Sequence, residues 1–355
     1  MRQSGVSGAL VLYLVSMRAW VALGFGVIAA VAVGLALGAL VAAPGQPSLL
    51  GSAIAPPRLP RMAARLAAFV PAVAAPPPLA QGRGVASPWR VGVQVGHWMI
   101  DQLPDEQWRL RNDTGTRWTT VPEVEVNMQI AERVVGDLRA AGVTADLLPA
   151  TVPPDYQADA FVAIHADGAG PRASGYKVAA PRRASLASKL LRDAISRAYG
   201  QVTGIPEDRY GVTFNMLGYY AFSWTRYEHA VAPATPAAII ETGYLTSAQD
   251  RTIILERPEI AALGVTMGIL SYLAESASLP PVAMVPLSYP PMVVVTDQAR
   301  LRYFPSDDER VAALLPAGTW VRPTDASDGW FDLVVQGDFR LSGWMKGVDL
   351  IAMGG

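Results

Sequence analysis

Three short apolar runs, far apart in the chain, each lead into an ionisable residue, and this coincidence constrains the fold more than any other feature. Val91, Val93 and Val95 alternate with small or polar residues and arrive at Gly96 and His97. Phe161, Val162, Ala163 and Ile164 arrive at His165, and Ala237, Ala238, Ile239 and Ile240 arrive at Glu241. Runs this short and this apolar read as buried strands, and residues 143–148 read as one more. Longer amphipathic stretches lie between them. Val126, Ile130, Val134 and Leu138 recur every four residues within 123–141, and Leu186, Leu190 and Ile195 share one face of 184–199, a packing helix. Strands alternating with helices predict an α/β domain over residues 89–278, with an open, mostly parallel sheet flanked by helices. In such sheets the site forms in the crevice at the carboxyl ends of the strands. His97, His165 and Glu241 are therefore expected to converge, although 68 and 76 positions separate them.

Two imidazoles and carboxylates gathered there suit a catalytic zinc, which takes three protein ligands and leaves one position open. His97 and His165 supply two ligands, and the third is expected to be a carboxylate. Glu123 follows Pro122, a residue favoured at helix starts, so it opens a helix from which it can reach over the strand ends. Glu125, two residues on, is the competing choice. Glu241 is then left to take a proton from water and pass it to a leaving amine; its bland alternative is a cap on the Thr242-Gly243 turn. His229 has no strand-end context and reads as a loop residue. The chain holds no cysteine, which excludes disulfides, thiolate metal sites and cysteine nucleophiles.

The same residues carry a family resemblance. His97 in VGH, Glu123 in EVEVN with Asn127 four residues later, His165 in AIHAD and Glu241 in ETGYLTSAQD resemble the motifs of the zinc-dependent N-acetylmuramoyl-L-alanine amidases, in order and spacing. The resemblance implies that His97, Glu123 and His165 hold zinc and that Glu241 is the catalytic acid/base. It further implies a peptidoglycan or muramyl-peptide substrate, cleaved at the amide joining N-acetylmuramic acid to L-alanine. The chain departs from the family in two places. Residues 98–118 form a longer segment with three tryptophans (Trp98, Trp108, Trp118) where the family has a glycine-rich loop with an Asp-Pro pair, which bears on substrate fit more than on metal binding. In EDRYGVTFNMLGYYAF, Tyr210 is inserted and Thr213 replaces a common lysine; the stretch either lines the groove or packs its aromatics.

The first 90 residues are of another kind. They contain seven arginines and no Asp, Glu or Lys, which leaves 22 basic against 30 acidic residues, a charge of −8, for 91–355. One homogeneous domain is excluded, and an acidic folded part disfavours nucleic acid as a partner. Residues 20–43 carry no charge, a length of 24 that as a helix measures about 36 Å and crosses ~30 Å of hydrocarbon. The expected order is a cytoplasmic tail (1–18), one transmembrane helix (19–43) and a linker (44–88) with ten prolines. Arg2 and Arg18 place the N-terminus inside, so the enzyme faces outward from a single-pass anchor.

A second linker, 279–291, has five prolines and precedes short apolar runs over 292–355, a small all-β barrel. ARLRYFPS, LLPAGTWV, SDGWFDLV and GWMKGVDL resemble a bacterial SH3-like domain, in which Trp330 and Trp344 either form a ligand platform or fill the core. The reading as a whole is a membrane-anchored zinc amidase. Its alternatives are a catalytically silent, amidase-like wall-binding or regulatory protein and a related zinc hydrolase acting on another amide. Oligomeric state is not legible.

Overall fold

The apolar runs do become the middle of a sheet. The structure is a computed structural model that describes residues 89–353 with the exception of residue 171. The expected membrane helix (19–43) and linker (44–88) lie outside the described residues; among those described, no helix is long and apolar enough to cross a membrane. The first strand, β1 (Arg90–Val95), is followed by a two-stranded hairpin of β2 (Arg117–Trp118) and β3 (Val121–Pro122), then α1 (Glu123–Ala140), β4 (Thr144–Leu148) and β5 (Ala160–Asp167). Next come β6 (Lys177–Ala179), α2 (Leu186–Thr203), the single turn α3 (Phe214–Leu217), β7 (Ala237–Tyr244), α4 (Ala248–Ile254) and α5 (Pro258–Ser276). The sheet order is β4-β1-β5-β7-β6. All neighbours run parallel except β6, which closes one edge antiparallel. β1, β5 and β7 are apolar almost throughout because central parallel strands are buried on both faces.

Alternation along the strands divides the sheet into two unlike faces. Val91, Val93, Val95, Val162, Ile164, Ala238 and Ile240 point to one side, where α1, α2 and α5 form the main core with them. Phe161, Ala163 and Ile239 point to the other, against Met216, Tyr219, Phe222 and Val231 from turns and loops. The helices thus flank one face only. His165 and Glu241 fall in step with the second set, so they emerge under the loop-covered face.

The strands do not stop at the ionisable residues. β5 and β7 run on to Asp167 and Tyr244, and His165 is the register partner of Glu241 inside the ladder. The reason is the β5–β7 ladder itself, which resumes after an irregularity with Asp167 opposite Tyr244, while the edge strand β6 pairs with β7 only as far as Lys177 opposite Glu241. His97 alone lies beyond its strand, in a left-handed conformation (φ 64°) that turns the chain out of the sheet.

The C-terminal residues form a seven-stranded antiparallel sheet of order β10-β9-β13-β12-β11-β8-β14, built from β8 (Met292–Val294), β9 (Ala299–Arg302), β10 (Val311–Leu315), β11 (Trp320–Ser327), β12 (Trp330–Val335), β13 (Asp338–Lys346) and β14 (Leu350–Ala352). Leu301, Val321, Leu333 and Met345 are fully buried in its own core. Trp330 and Trp344 are half-buried, and Lys346 lies over the Trp330 ring. Residues 279–291 include a short helical turn (Pro281–Met284) whose Ala283 is buried, with Leu279 and Met284 against the main core. Polar contacts cross between the two sheets' surroundings: Arg209 and Tyr210 each reach Glu309 at 2.8 Å, and Lys189 pairs with Asp325.

Candidate active site

Three of the four residues singled out from sequence meet at one point. His97 Nε2 stands 3.3 Å and His165 Nδ1 3.0 Å from the same oxygen, Oε1 of Glu123. The three prospective ligand atoms lie within 4.8 Å of one another. Glu123 is the first residue of α1 and only 3% exposed, whereas Glu125 points to solvent. The choice between them follows from the helix: residues two apart lie on different faces.

The carboxylate is held from several sides. Oε1 accepts from Asn127 Nδ2 at 3.0 Å and from the Ala166 N–H at 3.2 Å, and Oε2 accepts from the Thr116 N–H at 2.9 Å. The Glu-to-Asn spacing of four is thus the spacing of one helical turn closing a hydrogen bond. Burial pushes the Glu123 carboxyl up, but its hydrogen bonds from His165 and His97 outweigh this and hold it well below the usual carboxylate range. Burial likewise opposes a charged His97, yet the bond and attraction to Glu123 raise its pKa to about 9.

His97 is oriented by its other nitrogen. Nδ1 lies 2.6 Å from the carbonyl oxygen of Asp113, which can only accept, so Nδ1 donates there and Nε2 is the nitrogen that faces Glu123. Two imidazole nitrogens and a carboxylate oxygen converging on one spot form a donor set that a divalent cation satisfies. Zinc with N and O ligands at about 2.0–2.2 Å needs such atoms a little over 3 Å apart. The residues present fit a His₂Glu metal site.

Two glycines leave room for this cluster. A Cβ on Gly96 would lie within 2.6 Å of three ring atoms of His165, and Gly115 (φ 69°) abuts His97 and Glu123. Gly96→Ala is therefore expected to push the His165 ring off its position and weaken zinc binding by about tenfold or more, read by competition with a chelator. Unchanged affinity would mean the ring yields without losing its aim.

Glu241 stands beside the cluster and bonds to none of it. One carboxylate oxygen, Oε2, is buried without a hydrogen-bond partner, and burial raises the group to about 7, with His165 pulling the other way. A buried carboxylate left unsatisfied is costly unless something else uses it. It lines a cavity of about 660 Å³ together with His97, Glu123, His165, Tyr219 and Arg226.

The segment 98–118 forms a wall of this cavity. It folds as two short helical turns (Ile100–Gln102 and Asp105–Leu110), and Ile100, Leu103, Leu110, Asp113, Gly115 and Thr116 face the space. Arg111 holds the Leu103 carbonyl at 2.5 and 2.8 Å. Glu106 accepts from the N–H groups of Glu228 and His229 at 2.8 Å, and its Oε1 lies 2.9 Å from His229 Nδ1. His229 is thus a loop residue that ties the inserted wall to the opposite loop and touches no member of the metal cluster. Sequence reasoning missed Gln94 and gave Tyr219 no role beyond its place in the stretch EDRYGVTFNMLGYYAF, part of which lines the cavity; a buried polar residue inside a strand, Gln94 in VGVQV, was the available signal.

An α/β sheet carrying a His₂Glu cluster that could hold a metal ion, next to an unpaired buried carboxylate, is an arrangement suited to hydrolysis. Residues 109–269 match the family model described as N-acetylmuramoyl-L-alanine amidase, and the central domain belongs to that family. The matched stretch includes Glu123, His165 and Glu241, while β1 and His97 precede it and are added by the tertiary structure. No curated protein matches the chain. Among solved structures it is similar to the N-acetylmuramoyl-L-alanine amidase from Clostridium difficile 630 (20% identity, TM-score 0.38, covering 53% of this chain and 98% of that one). It is also similar to the amidase AmiC2 of Nostoc punctiforme (20%, 0.37, 53% and 98%) and to Ami1 from Mycobacterium smegmatis (19%, 0.39, 53% and 97%).

Proposed function

We propose that the chain is a zinc amidase that hydrolyses the amide between the lactyl group of N-acetylmuramic acid and L-alanine in peptidoglycan. The observation that carries the reading is the meeting of His97, Glu123 and His165 beside the unpartnered oxygen of Glu241. His97 Nε2, Glu123 and His165 Nδ1 would hold the zinc. Zinc so held acidifies water and polarises a carbonyl.

The chain's own residues do the rest. Glu241 accepts the proton of the attacking water, and once the amide carbon is tetrahedral it returns that proton to the leaving nitrogen as the C–N bond breaks. The products are a lactyl carboxylate and a stem peptide with a free L-alanine amine. The folded wall of 98–118 borders the cavity and leaves its volume open, which favours an active enzyme over a silent wall-binding protein.

The uncharged run 20–43 and the proline-rich 44–88 support a single-pass anchor and tether holding the catalytic domain outside the cell. The C-terminal sheet, with half-buried Trp330 beside Lys346, we read as an SH3-like module for the wall.

The test is the full chain in detergent with zinc and muramyl peptides, its products followed by mass spectrometry. An intact stem peptide beginning at L-alanine is expected. Zinc bound with no cleavage would move the protein to the silent reading, and cleavage elsewhere to another amide.

A further inference from the structure

Behind His165 runs a chain of hydrogen bonds whose direction can be read from its far end. Gln94, fully buried in β1, brings its side-chain Nε2 to 2.7 Å from the carbonyl oxygen of Ala150. A carbonyl oxygen only accepts, so the amide must present its NH₂ there and its Oε1 the other way. Oε1 lies 2.9 Å from the Tyr219 hydroxyl and accepts its proton. The phenol has one hydrogen, claimed by Gln94 Oε1 and by the Tyr220 hydroxyl at 3.1 Å, whose own hydrogen goes to Ala150, so towards its third neighbour it can only accept. That neighbour is His165 Nε2, at 3.0 Å. His165 therefore donates from Nε2, which leaves Nδ1 as the nitrogen that faces Glu123 and would meet a metal there.

We propose that Tyr219 and Gln94 are positioning residues that fix the tautomer and aim of His165, so that Nδ1 rather than Nε2 serves as its metal ligand. The inference rests on the zinc-amidase reading given above. His97 has the opposite assignment, set by the Asp113 carbonyl, so the two histidines bind through different nitrogens, each selected by an acceptor on its far side. The two devices differ in kind. The one behind His97 is a backbone oxygen sixteen residues away. The one behind His165 is a relay through two side chains, on the loop before β7 and on β1, and it is fully shielded from solvent at Gln94. Losing the Tyr219 hydroxyl takes away the acceptor that faces the His165 N–H.

Tyr220 provides an internal control. Its hydroxyl donates to the same Ala150 carbonyl at 2.7 Å and lies 3.1 Å from the Tyr219 hydroxyl and 3.4 Å from Gln94 Nε2, so its loss perturbs the neighbourhood of the relay but leaves the Tyr219–His165 bond in place. The experiment uses the full chain in detergent, with the zinc dissociation constant measured by chelator competition and the three histidines labelled with ¹⁵N. Tyr219→Phe is expected to weaken zinc binding 10–100-fold, and Tyr220→Phe to change it less than about threefold. In the zinc-loaded wild type, the His165 signals should show a slowly exchanging Nε2–H and a metal-bound Nδ1. In Tyr219→Phe that Nε2–H should exchange faster.

A bound Nε2 in the wild type overturns the proposal, as does a Tyr219→Phe protein that binds zinc as tightly as the wild type. Equal weakening by the two Tyr variants also overturns it, since the effect would then not pass through the Tyr219–His165 bond. If Tyr219→Phe does not fold, Gln94→Met answers the same question, with weakened zinc binding expected and unchanged binding fatal. A wild type that binds no zinc removes the amidase reading itself, whereas zinc binding with intact affinity in the variants removes only this inference.

Discussion

Glu241→Gln is expected to lower turnover of muramyl peptides by about 10²–10⁴-fold while bound zinc stays at about one per chain. Glutamine keeps the shape of the side chain and one acceptor oxygen but can neither take a proton from water nor return it to the amine. Glu241 touches none of the three clustered donors, and its Oε2 has no partner to lose, so the metal cluster should survive the change. Kinetics and metal content measured on one preparation decide the matter. A variant that loses zinc would make Glu241 a ligand rather than the proton carrier, and one that keeps full activity would remove it from the chemistry.

The second large effect separates two glutamates that stand two residues apart. Glu123→Ala should reduce bound zinc from about one per chain to near zero, and Glu125→Ala should leave it unchanged. Glu123 is the one carboxylate between the histidines, and Glu125 is solvent-exposed. The alanine variant should also be less stable, because the N–H groups of Thr116 and Ala166 and the amide of Asn127 lose their acceptor. Each buried donor so stranded costs about 1–3 kcal/mol. Glu123→Gln divides the two effects, since it retains an acceptor oxygen while removing the charge a dication needs. Metal analysis alongside thermal unfolding of the three variants provides the check; zinc retained by Glu123→Ala would return the third ligand to Glu125 or to Asp113.

Most of the site's chemistry was legible because strands and residue types are written in short windows. The alternating valines before His97 and the unbroken apolar runs before His165 and Glu241 announced buried strands, and Pro122 announced the start of the helix that carries Glu123. Where those strands end was not legible. Their extension to Asp167 and Tyr244 depends on the two strands pairing with each other past an irregularity, a contact between residues 77 positions apart. The helix-covered and loop-covered faces were equally hidden, since a run apolar at every position carries no alternation to show which side meets helices.

The segment 98–118 shows the same limit from another side. Its tryptophans marked it as unusual, but its fold depends on Arg111 reaching back to Leu103 and on Glu106 holding backbone 122 and 123 positions away. Neither contact has a periodic signature. Sequence by itself determined the kinds of donor, two imidazoles and a carboxylate, their order along the chain, the α/β class and the sharp compositional break after residue 90, because each depends on local periodicity or residue chemistry. Tertiary structure alone decided that Glu123 and not Glu125 meets the histidines, that Glu241 stands apart with a free oxygen, and that Tyr219 and Gln94, 125 positions apart, lie behind His165. Those outcomes depend on which distant side chains are packed within hydrogen-bond reach, and that is settled only when the sheet and its loops close together.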